Sequence, residues 1–417
     1  GREQLARKAL ELDPESAEAW ISLGTSILEL AARMHEDQPQ PKIHEKLNEA
    51  LAAFERGLEL NPTLSKGYLR YGNNLMWFHV YPDVPFGWFK AWKAGRWEAV
   101  FDKGLEVDPL SIPLHARKSW YPVTVSSREE ATWHGHRMIE IAPDSPHGYS
   151  TVGTHKWELN GQIDESIPWM SKAVGVDPQN PGFPIFIGLA YSALGDPDMA
   201  LAYFDLAKAL TAPDNKRGQN RLLVEQAVVR LVSGKFDAHQ VAELLPPLSE
   251  PMSMHGMELG IFVDLATGLP ADALARMEAY APECIGAKEI PVKWMVCPVE
   301  LVRVYQELGD HKAAQALGDA NVRNDQVFVD EFPAVWIRFD FARLLATVGR
   351  KDEALDMLED LVTSGWRGDF YVKNLGFVFC CDVGLDAIRN HERFQAIVAT
   401  IEADMAQQLE NVREMER

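Results

Sequence analysis

Cysteine is scarce in this sequence: of 417 residues only four are cysteines, Cys284, Cys297, Cys380 and Cys381, and no two form a CxxC pair. So few thiols, two of them adjacent, exclude the dense disulfide framework of small secreted domains. We interpret the Cys380-Cys381 pair as buried, inert thiols, and the low cysteine content favours a reducing compartment, the cytoplasm.

Basic charge and long apolar runs are also lacking. The formal net charge is -20, with 61 acidic and 41 basic residues. Such a field repels nucleic acid and anionic lipid, so we expect neither as a partner. We find no uninterrupted apolar run of about 18 residues and no signal peptide, so the sequence predicts no membrane span.

Sequence motifs of catalysis are missing as well. The chain has no GxGxxG after a strand, no GxxxxGK[ST], no GxSxG and no HExxH. Its twelve histidines form no Cys/His cluster, and His134 and His136 point to different faces of one helix because they are two residues apart. We therefore predict no enzyme, no cofactor and no metal site.

The clearest positive signal is residues 181–212, which read as two apolar helices separated by Gly195-Asp196-Pro197. Small residues at Gly188, Ala200 and Ala207 let the two helices approach closely, and Phe204 fills the space between them. One such pair cannot bury its apolar face alone, so neighbouring pairs of the same kind are expected.

This spacing resembles the tetratricopeptide repeat, and about ten partial or complete pairs with the same pattern cover nearly the whole chain. The resemblance implies an all-α fold, a right-handed superhelical solenoid of helix pairs. Pro14, Pro62, Pro109, Pro143 and Pro178 end successive units. The units ending at Pro62 and Pro109 are longer than the usual ~34 residues, which predicts insertions at about 29–46 and 76–97.

We divide the chain into an N-terminal array over 1–213, weaker then regular helix pairs over 214–365, and a C-terminal cap over 366–417. The first residues read as the second half of a repeat, so we expect either a cut from a longer protein or an unpaired capping helix. The long amphipathic stretch from Phe394 to Val412 favours a solenoid cap, with a helix–helix homodimer seam as the alternative.

The insertion at 76–97 has the most unusual composition, with eight large aromatic residues. They include the candidate ligand or partner contacts Trp77, Tyr81, Trp88 and Trp92. A loop cannot bury so many aromatic side chains unless it folds over a neighbouring repeat or meets a partner. Both interpretations stay open: a plug on the concave face, or a recognition element.

In the family, the first helices of successive repeats line the concave groove. The resemblance places Lys66, Leu69 and Asn73 there from one unit, and Val299 and Arg303, then Phe339 and Arg343, from two later units. Lys66 and Arg70 also resemble part of the clamp that holds acidic peptide termini in chaperone-binding repeats, but the preceding unit lacks the rest. Ordinary ion pairing is the alternative interpretation of Arg303 and Arg343.

The C-terminal part also resembles the repeat region of bacterial regulators that carry a winged-helix or nucleotide-cyclase domain. The residues that carry this resemblance are Gly365-Trp366, Leu385-Asp386-Ala387-Ile388-Arg389 and His391-Glu392-Arg393-Phe394. Two functions follow: a non-catalytic scaffold that binds a protein or peptide in its groove, or a sensor region that encloses a small-molecule ligand.

Overall fold

The computed structural model describes residues 1–34, 40–80, 96–120, 128–234, 238–251, 254–287, 297–331, 335–368, 382–415 and 417. Within these ranges the regular structure is helical throughout and includes no strand. The predicted all-α class is thus confirmed. The contacts divide the chain into two compact units, Gly1–Tyr121 and Pro122–Arg417. The predicted boundaries at 213 and 365 mark changes in repeat regularity and stay predictions.

The first unit contains six described helices. They are α1 (Arg2–Leu12), α2 (Ala17–Met34), α3 (Gln40–Leu60), α4 (Ser65–Val80), α5 (Arg96–Val107) and α6 (Ile112–Trp120). Helix α2 packs against α3, and α4 packs against α5, which gives two antiparallel repeat-like pairs. Helix α1 packs on α2 through Ala6 but leaves Leu5 and Leu12 exposed.

The second unit contains fourteen described α-helices. They are α7 (Arg128–Ile141), α8 (Pro146–Glu158), α9 (Ile163–Val176), α10 (Gly182–Ala193), α11 (Pro197–Leu210), α12 (Lys216–Val232), α13 (Ala238–Ala242), α14 (Met254–Ala266), α15 (Pro270–Tyr280), α16 (Cys297–Glu307), α17 (His311–Glu331), α18 (Val335–Thr347), α19 (Lys351–Thr363) and α20 (Glu392–Met415). Consecutive helices pack as pairs: α8 with α9, α10 with α11, α14 with α15, α16 with α17, and α18 with α19.

A glycine facing a phenylalanine sets the close approach within these pairs. A Cβ on Gly188 would lie 2.7 Å from the ring of Phe204, and one on Gly72 would lie 2.3 Å from that of Phe101. Both phenylalanines are fully buried. The predicted roles of Gly188 and Phe204 are therefore confirmed: the small residue leaves room that the aromatic ring fills.

The inner helices of the second unit are buried on more than one face. In α10 every residue from Phe186 to Ala193 is buried, and α14 and α18 are nearly as enclosed. A helix that is apolar and covered all round lies in a core rather than along an open groove. These helices therefore lie in the core of the second unit.

The C-terminal helix α20 acts as a cap within the second unit. It packs against α9 and α19 and buries one apolar face, whose large members are Phe394, Ile397, Ile401, Met405, Leu409 and Val412. The predicted capping helix is thus confirmed. The apolar face that would form the alternative homodimer seam is already covered inside the chain.

Candidate functional site

An open cleft lies on the first-helix side of the first unit, between α1, α2 and α4. Its volume is about 770 Å³. Helices α1 and α4 contribute Arg2, Leu5, Ala6, Ala9 and Arg70, while α2 and the residue before it contribute Ser16, Glu18, Ala19, Ser22, Thr25, Ser26 and Glu29. The floor therefore combines small apolar, hydroxyl and charged side chains on two successive first helices.

The hydroxyl groups of the cleft are oriented by their own helix. Thr25 Oγ1 donates to the carbonyl of Ile21 at 2.9 Å, and Ser26 Oγ donates to that of Ser22 at 2.8 Å. Each proton is thus directed into the helix, which leaves the hydroxyl oxygens as acceptors. A ligand with N–H donors, such as a peptide backbone, matches this arrangement.

The sequence predicted three polar binding residues on α4: Lys66, Arg70 and Asn73. Lys66 and Arg70 are exposed, and neither has an ion pair within the described ranges. Arg70 lines the cleft. The side-chain oxygen of Asn73 is buried and has no hydrogen-bond partner in the described part of the chain. Helix α4 therefore offers two exposed cations one turn apart, whereas the buried Asn73 oxygen is out of reach of a ligand in the cleft.

A second cleft of about 680 Å³ lies on the opposite side of α1, against α2 and α3. Its charged side chains are already engaged, since Arg7 donates to Glu3 at 2.8 Å and also pairs with Glu49. In the first cleft Arg2 and Glu29 are likewise paired, at 3.1 Å, but Arg70 has no ion pair to any described residue.

The two predicted groove arginines of the second unit lie in a different environment. Arg343 on α18 is fully buried, and its guanidinium donates to Glu300 at 2.6 Å, to Asp340 at 3.2 Å and to both carboxylate oxygens of Asp382 at 2.6 and 2.9 Å. Arg303 on α16 donates to Asp386 at 3.0 Å. Both arginines are engaged within the chain, and a role in binding a partner stays a prediction.

This buried cluster carries more negative than positive charge. Burial lowers the pKa of Arg343, but the charges of Asp382 and Glu300 outweigh it and hold that pKa well above its ordinary value. On the neighbouring α17, burial together with the charge of Asp340 raises the pKa of Asp325 to about 7. Asp325 therefore titrates near neutral pH.

A short segment that the repeat pattern did not predict lies against these arginines. Residues 382–389 contain a 3₁₀ turn, Val383–Leu385, which contacts α14, α16 and α18. Leu385 and Ile388 are fully buried. The LDAIR sequence was visible, but the pattern did not show that a segment so far along the chain returns to these helices.

The predicted aromatic insertion lies mostly outside the described residues. Tyr81, Trp88 and Trp92 lie outside the described residues, and only the backbone of Trp77 is described, in α4. No described helix is both long and apolar enough to cross a membrane. Across the described ranges, no group of three or more His, Cys, Asp or Glu side chains is placed to hold a metal ion.

Comparison with known proteins identifies one repeat directly. Residues 185–213, which span α10 and α11, match the tetratricopeptide repeat family model. No curated protein matches the sequence. The resemblance of the C-terminal part to bacterial regulators stays a prediction.

Several solved structures show a weak likeness to the chain. YrrB, a repeat protein with an unusual peptide-binding site, is 19% identical with a TM-score of 0.33, over 55% of this chain and 98% of YrrB. Yeast Tom70 is 14% identical with a TM-score of 0.44, over 97% and 85%. PilF of Pseudomonas aeruginosa is 16% identical with a TM-score of 0.36, over 54% and 93%.

Proposed function

We propose that this tetratricopeptide-repeat protein is a non-catalytic scaffold that binds an extended peptide segment of a partner protein in the cleft of its first unit. The observation that carries the proposal is the set of free polar groups there. Arg70 lines the cleft without an ion pair in the described ranges, and Thr25 and Ser26 present acceptor oxygens beside it. The proposal includes a cytoplasmic location, which rests on the low cysteine content.

The chemistry of the cleft suggests the kind of segment. The hydroxyl oxygens of Thr25 and Ser26 can accept hydrogen bonds from the backbone N–H groups of an extended chain, while Arg70 in the cleft and Lys66 one turn before it on α4 suit an acidic side chain or terminus. The protein as a whole is strongly acidic, so two cations on one helix face with no ion pair to any described residue stand out against their surroundings.

The strongest candidate for a catalytic site is the buried cluster around Arg343, and its burial supports the non-catalytic interpretation. Perturbed pKa values such as that of Asp325 do occur in active sites. However, Arg343 has no exposed surface and its donors are shared among three carboxylates, so a substrate has no access to its guanidinium in this conformation.

The test is a charge reversal on α4. A random peptide library is panned against the wild-type protein, and the enriched peptides are titrated by calorimetry against wild type and the Lys66→Glu/Arg70→Glu variant. We expect at least tenfold weaker binding in the variant, about 1.4 kcal/mol. The matched control is Lys8→Glu/Lys103→Glu, which reverses two exposed charges that line neither cleft.

Equal loss of affinity in both variants would show a general charge effect and contradict the cleft as the binding site. A library that enriches no peptide would contradict peptide binding altogether. The sensor alternative depends on Trp88 and Trp92, which are not described, so it stays a prediction.

A further inference from the structure

The segment 382–389 occupies a face that the repeat pattern assigns to ligand binding. Three of the residues on that face contact it directly: Arg343 pairs with Asp382, Arg303 pairs with Asp386, and Val299 would lie 2.8 Å from a Cβ on Gly384. Val299 and Arg303 are one turn apart on α16, as Phe339 and Arg343 are on α18, so the two helices present matching faces.

We propose that this face, formed by α16 and α18 with α14 beside them, is a peptide-recognition groove whose resident ligand is the chain's own segment 382–389. The ligand it selects is a tight turn with two aspartates four residues apart and a leucine between them. The inference goes beyond the proposed peptide binding in the first unit and does not depend on it.

Polar contacts specify the register of the segment. Asp382 accepts two hydrogen bonds from Arg343 while also accepting one from the backbone N–H of Gly384 at 2.9 Å. Thr347 Oγ1, one turn beyond Arg343, shares its proton between the carbonyl of Arg343 at 2.8 Å and that of Gly384 at 3.2 Å. A shift of one residue would break the segment's bonds to Arg343 and Thr347 at once.

The segment is itself held as a compact turn. Arg389 donates to the carbonyl of Asp382 at 2.6 Å and to the carboxylate of Asp386 at 3.0 Å, which closes the turn across its two ends. Leu385 between them is fully buried. The ligand is therefore preorganised before it meets the groove, which lowers the cost of binding.

The type of contact distinguishes a recognition groove from simple packing. Buried ion pairs contribute little net stability compared with well-packed apolar side chains, whereas they penalise any segment that fails to supply the matching charge. Here the cation has no exposed surface, and both carboxylate oxygens of Asp382 bind it. The groove thus rejects a turn that lacks the aspartate.

Covalent attachment keeps the groove filled. A tethered segment competes with free peptides at a high effective concentration, so the wild-type groove is closed to a ligand of the same chemistry. Weakening the resident segment should therefore open the groove to the same sequence supplied in trans.

The experiment uses the full chain with Asp382→Asn and Asp386→Asn. The probe is a fluorescein-labelled peptide with the sequence of residues 382–391, DVGLDAIRNH. A second peptide has asparagine at both aspartate positions. We expect the variant to bind the first peptide at least tenfold more tightly than wild type does, measured by fluorescence anisotropy, and neither protein to bind the second. Adding Arg343→Met to the variant should abolish the binding.

A folded variant that binds the peptide no better than wild type would overturn the inference. If the variant does not fold, its thermal transition is followed by circular dichroism with each peptide present. Restoration by the first peptide alone supports the inference, and no restoration overturns it. A negative result here leaves the library test of the first unit unaffected, so the two proposals fail separately.

Discussion

Arg343 shows how one side chain organises the second unit. It is the only cation within hydrogen-bond distance of Glu300 among the described residues, and it also holds Asp340 and Asp382. Its guanidinium carbon lies 4.9 Å from the centre of the Phe262 ring on α14. One arginine thereby connects three inner helices with the segment that covers them.

Replacing Arg343 should therefore be costly. Arg343→Met keeps much of the volume but leaves three buried carboxylates without their cation, and we expect a loss of about 3–5 kcal/mol. The thermal transition measures it, and Arg350→Met at an exposed ion pair is the control, with a change below about 1 kcal/mol. Equal effects of the two substitutions would contradict this assignment.

Asp325 makes the stability of the second unit depend on pH. Its pKa is raised to about 7 in the folded protein and is near 3.8 when exposed. The folded state thus holds a proton that the unfolded state releases between these values. Stability should fall as pH rises from about 4 to 7 and then level off, by at most on the order of 4 kcal/mol.

Asp325→Asn removes this titration. The melting temperature of wild type should fall between pH 5 and pH 8 by more than that of the variant, since asparagine stays neutral throughout. Identical pH profiles would show that Asp325 is ionised in the folded protein at all of these pH values.

At the scale of helices, the packing of α10 on α11 depends on the missing side chain of Gly188. Gly188→Ala places a methyl group against the Phe204 ring and should destabilise the pair by about 1–3 kcal/mol. Gly175→Ala in α9 meets nothing within 4 Å and should instead be neutral or stabilising by up to about 1 kcal/mol. Melting temperatures that change in the same direction would contradict the close-approach interpretation.

Helix α20 is fastened to α9 by one buried glutamine. Gln408 accepts from the backbone N–H groups of Ile163 and Asp164 at 2.7 and 3.2 Å, and donates to the carbonyl of Gly161 at 2.9 Å. These two N–H groups belong to the first residues of α9 and have no partner within the helix. The Gln408 side chain therefore caps the N-terminus of α9, although it comes from a distant part of the chain.

Gln408→Ala leaves those backbone groups buried and unsatisfied. We expect a loss of about 2 kcal/mol and a melting temperature lower by roughly 4–8 °C. The control is its neighbour Gln407, which is exposed on the same helix and bonds only to Asn411 among the described residues. If Gln407→Ala is equally harmful, the capping role of Gln408 is wrong.

At the scale of the whole molecule, the sequence predicted what is local and periodic. The repeat pattern correctly predicted the close approach at Gly188, the burial of Phe204 and the capping helix α20. It could do so because residues only a few positions apart determine how each helix packs. It could not predict that Gln408 returns to Ile163 or that Asp382 returns to Arg343, since these contacts depend on how many helix pairs accumulate between the two residues. The pattern predicted Arg343 as a groove residue available to a partner. In the structure its guanidinium is bound by carboxylates of the same chain.

The two units therefore differ in whether a partner peptide can reach a binding surface on them. The first presents an open cleft lined by Arg70, which has no ion pair to any described residue, whereas in the second the segment 382–389 covers α14, α16 and α18. A partner peptide should engage the first unit and leave the second unchanged.

Hydrogen–deuterium exchange, measured with and without a peptide enriched by panning, tests this difference most directly. Slower exchange in α2 and α4 with unchanged exchange in α16 and α18 is the result we predict. Slower exchange in α16 and α18, with α2 and α4 unaffected, would contradict it, because the peptide would then occupy the face that the chain's own segment is proposed to hold.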